Sequence, residues 1–112
     1  MHDRLEGTAS RLAALLGEVH AVCVAAQRIA PSEGEDLPGS RDGVLLDAHR
    51  ALARAATLAA QAGETVMLAV VSLRSQRPDE ATRLADAAGR TAEQVADQVR
   101  RAGELVRDAE QY

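Results

Sequence analysis

The chain has 112 residues, one cysteine and a net charge of −4, and its 13 cations are all arginine. That length fits one domain with a single modest core, and the acidic balance argues against general binding to nucleic acid or anionic membranes. With no Phe or Trp, and Tyr112 the last residue, the interior must be built from alanine, leucine and valine. An alanine seam gains less per residue than a leucine seam, so this chain needs close helix approach, a partner surface, or both.

The first predicted element is a helix over 3–30. Asp3 and Glu6 have the spacing of a capping box, and Pro31 ends the pattern. Leu5, Ala9, Leu12, Leu16, Val19, Cys23, Ala26 and Ala30 alternate at steps of four and three, the seam of a heptad helix. Leu15, Val22 and Ile29 widen that stripe enough to touch two neighbours. Residues 31–43 read as a loop, because Ser32, Gly34, Asp36, Pro38, Gly39, Ser40 and Asp42 are turn formers. Leu37 is almost its only apolar residue, so the loop is expected to be mobile.

A second helix is expected over 44–75, with its seam at Leu45, Ala48, Leu52, Ala55, Ala59, Ala62, Val66, Ala69 and Leu73. Arg77-Pro78 makes a sharp turn, and Asp79 and Glu80 then suit the positive end of a third helix over 79–110. Its stripe runs Ala81, Leu84, Ala88, Ala92, Val95, Val99, Ala102, Val106 and Ala109, with a slip in spacing around Gly89. The expected architecture is all-α: one domain, an elongated antiparallel bundle of three long helices. A break near Gly89, giving a fourth helix, is the alternative.

No constellation in the sequence carries recognisable chemistry. His20 and Cys23 stand three apart on one helix, a spacing that suits two metal ligands, but zinc needs three or four. Cys23 also falls on a seam, where a free cysteine packs as a small hydrophobe. A histidine beside a bundle seam, as His20 and His49 are, is what a phosphotransfer domain uses. Those domains place lysine and glycine three and four residues after the histidine, where this chain has Leu52 and Ala53, so no family is assigned. The Trp-x-Gly turn of small secreted helical hairpins is missing too. There is no nucleophile elbow, Walker loop or dinucleotide fingerprint. Asp86, Arg90, Glu93, Asp97, Arg100, Glu104 and Arg107 alternate in sign along the third helix and read as a solvated face.

Two surfaces exceed what a bundle core requires. The outward stripe of the second helix runs Asp47, Arg50, Arg54, Thr57, Gln61, Glu64 and then turns apolar at Leu68 and Val71, with Met67 alongside. Something must cover it, either the third helix or a partner. The back of the first helix carries a smooth strip of Ala14, Gly17, Ala21 and Ala25, with Val24 beside it. Arg74, Arg77 and Arg83 gather at the second turn, where Arg4 and Arg11 also end up in an antiparallel bundle, with Glu33, Glu35 and Asp36 at the other end.

These features favour a small interaction or assembly module that binds itself or another helical protein, needs no cofactor or metal, and contacts neither nucleic acid nor membrane. The alternatives are a histidine-based signalling bundle and a helical enzyme whose site forms between subunits. The lone Cys23 and the absence of a membrane-length apolar run or signal-like start point to the cytoplasm. Arginine without lysine, in so alanine-rich a chain, points to a GC-rich bacterial genome.

Overall fold

A computed structural model describes residues 1–29 and 41–111, the side chain of Arg41 excepted. They form three α-helices: α1 (His2–Ile29), α2 (Arg41–Arg74) and α3 (Pro78–Ala109). There is no strand among the described residues. The molecule measures 60 × 19 × 15 Å, an elongated all-α bundle.

The buried residues form three layers that fix the helix directions. Leu5 packs with Ala69 and Ala85. Leu12 and Leu15 meet Ala55, Ala59, Ala62, Ala92, Val95 and Val99. Val19, Val22 and Cys23 lie against Ala51, Leu52 and Ala102. Numbering rises along α1, falls along α2 and rises along α3, so α2 is antiparallel to both its neighbours. Alanine dominates the interior, and the largest side chain in it that is fully buried is Val95. Small residues facing one another allow the α2 and α3 backbones to approach closely.

Local chemistry sets the α2–α3 corner. The Arg77 amide donates to the Ser72 carbonyl at 2.8 Å and the Gln76 amide to that of Leu73 at 3.1 Å. Gln76 has a φ of 61°. This is a Schellman ending, with Gln76 in the left-handed position that glycine usually takes. Pro78 then opens α3 with no amide hydrogen to lose. Ser72, buried at 5 % exposure, donates its hydroxyl to Glu80 at 2.6 Å and ties the two helices across the turn.

Several expectations need correction. α3 runs unbroken through Gly89, so the fourth helix does not form. One glycine costs about 1 kcal/mol in a helix, and Ala88 and Ala92, both buried, hold the flanking turns in the core. α2 starts at Arg41 and so takes in 41–43, with Asp42 in the first turn, where an acid is favourable. The remainder of the expected loop, including Glu33, Glu35 and Asp36, lies outside the described residues. α1 starts at His2, which places Asp3 inside the first turn and not at the cap. Finally, the buried face of α1 is shifted from the expected seam: Leu5 and Leu12 of that seam are buried together with Leu15, whereas Leu16 is 47 % exposed and Ala9 is exposed.

Candidate interaction surfaces

On α2, the residues that meet α1 and α3 occupy one side, from Ala48 through Leu52, Ala55, Ala59 and Ala62 to Ala69. Leu68 is one residue from Ala69 and Val71 two, about 100° and 200° round a helix of 3.6 residues per turn. They must therefore point away from the core. Met67, Leu68 and Val71 are exposed by 67, 56 and 57 % respectively. α3 does not cover this patch, because it packs on the opposite side of α2. Leu46, 47 % exposed near the start of α2, adds a fourth large apolar side chain to the outer face. Between them Ala53, Ala56 and Ala60 are exposed and small.

The strip on α1 divides in two. Ala14, Gly17 and Ala21 are exposed, while Val24 and Ala25 are half-buried. Ala14 borders an open groove of about 510 Å³ between α1 and α3, floored by Leu15, Val22 and Val99. Ala21 and Ala25 border a smaller recess of about 180 Å³ that shares Val22, Gly103 and Arg107 with it. Three residues of the strip, Ala14, Ala21 and Ala25, thus edge the cleft between α1 and α3.

A row of charges runs along the α1–α3 contact. Arg4 pairs with Asp86 and, one heptad on, Arg11 pairs with Glu93. The Arg11 guanidinium donates to Glu93 and holds its carboxyl below the usual carboxylate range, while the pKa of Arg11 is raised in return. The next step of seven brings Glu18 level with Arg100, but Arg100 pairs with Asp97 on its own helix at 3.2 Å. Beyond the last cross-helix pair the groove opens. The expected basic end is accordingly subdivided: Arg4 and Arg11 serve this row, and Arg77 lies 3.9 Å from Glu80. Pairs between α1 and α3 were not foreseen, because nothing local in the sequence states which turn of one helix lies beside which turn of another.

The histidines occupy unremarkable places. His20 is exposed. His49 is exposed at the mouth of a small recess with Cys23, Leu45 and Leu52. Among the described residues no cluster of three or more His, Cys, Asp or Glu is placed to hold a metal ion. No buried side-chain polar atom among them lacks a hydrogen-bond partner.

One property of α1 and α2 departs from the sequence reading. Each is long and apolar enough to cross a membrane by length and composition. The cause is alanine: between Arg54 and Arg74 the only charge on α2 is Glu64, and between Arg11 and Arg28 the only charge on α1 is Glu18. The core helix of a soluble protein and a signal sequence near an N-terminus pass the same test. Comparison with protein families, with curated proteins and with solved structures finds no match for this chain.

Proposed function

We propose that this chain is a helical interaction or assembly module that acts through the outer face of α2, self-associates, and has no chemistry of its own. The observation that carries this reading is the run Met67, Leu68 and Val71, each more than half exposed within about one helical turn. Soluble monomers rarely leave large apolar side chains contiguous on a surface unless something binds there. An interior made largely of alanine supports the same reading, because it leaves part of the available apolar burial to a partner. The acidic balance and lone Cys23 suit a reducing cytoplasm.

The test is sizing by analytical ultracentrifugation, with circular dichroism alongside, on the wild type and on Leu68→Glu/Val71→Arg. The expected result is an oligomer that shifts to monomer in the variant while helicity survives. A wild type that stays strictly monomeric at high concentration overturns self-association.

A further inference from the structure

We infer that the partner is a second copy of this chain, docked antiparallel along α2 with the twofold axis at Thr57. This rests on the self-association proposed above and specifies its geometry. Two pairs of exposed outer residues of α2 are placed symmetrically about Thr57, while Met67 and Val71 fall level with Asp47 and Gly43. Eleven residues before it stands Leu46 and eleven after it Leu68, both exposed. Seven before it stands Arg50 and seven after it Glu64, opposite in charge and both exposed. Seven residues are about two helical turns and eleven about three, so all five positions share one face.

A closed twofold dimer needs a surface that is complementary to itself after rotation, and this spacing supplies one. With the axis at Thr57, Leu46 of each copy meets Leu68 of the other, and Arg50 of each copy meets Glu64 of the other. Near the axis, beside the longer Arg54 and Gln61, stand Ala53, Ala56 and Ala60. They are exposed and small, which allows the two helices a close approach. A parallel pair would set Arg50 against Arg50 and Glu64 against Glu64, so the charges select the antiparallel arrangement. Within one chain the nearest partner of Arg50 is Asp47, at 3.6 Å on the exposed surface of the same helix. Among the described residues Glu64 forms no ion pair. From Leu46 to Leu68 the face is about 33 Å long, and its apolar ends are where a two-helix contact is otherwise most prone to fray.

The experiment uses the full chain and two independent readouts. By sedimentation, Arg50→Glu and Glu64→Arg are each expected to weaken the dimer about tenfold or more, since either change puts two like-charge contacts into the interface. The double variant Arg50→Glu/Glu64→Arg restores the pairing with its sense reversed and is expected to return within about twofold of wild type. In a Cys23→Ser background, Thr57→Cys sits on the axis and is expected to form an intermolecular disulfide under mild oxidation, which Asp47→Cys is not. If the chain dimerises but the double reversal fails to restore association, or Thr57→Cys fails to cross-link, this geometry is overturned while self-association stands. A strictly monomeric wild type, or one that uses this face to bind lipid vesicles instead, overturns both.

Discussion

Gln76 illustrates how a single residue can be well placed and poorly chosen. The Schellman ending of α2 requires a left-handed residue after the last helical turn, and Gln76 takes it at a φ of 61°. A side chain with a Cβ is strained there by roughly 1–2 kcal/mol, and glycine is not. Glycine gives back part of that advantage through its freer unfolded chain. Gln76→Gly is therefore expected to stabilise the protein by about 0.5–1 kcal/mol, read as a higher urea midpoint with unchanged slope. A lower midpoint would mean that the Gln76 side chain makes a compensating contact. The corner itself was legible, because Arg77-Pro78 and the acids after it announce a helix stop and start. The left-handed glutamine was not, since glutamine carries no turn signal of its own. The Ser72–Glu80 bond was equally hidden. It joins residues on two helices, and only the shape of the corner brings them to 2.6 Å.

Among the elements, α2 and α3 match their sequence stripes closely and α1 does not. In α3, Ala81, Ala88, Ala92, Val95, Val99, Ala102, Val106 and Ala109 are all buried. Twelve charged residues of that helix lie off this stripe, so its buried face reads clearly. α1 offers two apolar candidates at adjacent positions, Leu15 and Leu16, and periodicity alone cannot choose between them. The choice is made by α3, whose Ala96 and Val99 border the same groove as Leu15. The row of Arg4–Asp86 and Arg11–Glu93 further up the same side is consistent with that rotation. This difference sets a clear expectation. Leu15→Ala removes a core side chain and should cost about 2–5 kcal/mol. Leu16→Ala, on an exposed position, should stay within about 0.5–1 kcal/mol of wild type. Equal losses in urea denaturation would show that α1 sits in a different rotation, with its original seam buried. The outer stripe of α2 was legible because its charges stop at Glu64. Leu46 was not, because it stands next to the seam residue Leu45 and reads as part of a broad apolar edge.

For the whole molecule, stability is expected to be unevenly distributed, and the unevenness follows from who is buried against whom. Only Leu5, Leu12 and Leu15 are buried on α1, against nine residues on α3. α2 and α3 are joined by a turn of three residues that is itself hydrogen-bonded, so they remain neighbours even when contacts loosen. α1 depends on its leucines, some half-buried valines, and ion pairs that are exposed and therefore worth little. An element with few buried contacts opens at lower free energy than the globule as a whole. Native-state hydrogen exchange should accordingly show the slowest amides in the centre of α2 and α3, around Ala55–Ala62 and Ala92–Val99. The amides of α1 should exchange through a partial opening that leaves α2 and α3 protected. The same experiment at rising protein concentration bears on the proposed dimer. Association along α2 should slow exchange in the α2–α3 pair and leave α1 nearly unchanged, because α1 has no part in the twofold contact. If α1 is instead as protected as α3 at low concentration, the three helices open together and the bundle is a single cooperative unit. If concentration slows α1 most, the contact between copies runs through the strip of Ala14, Gly17 and Ala21 and not through α2.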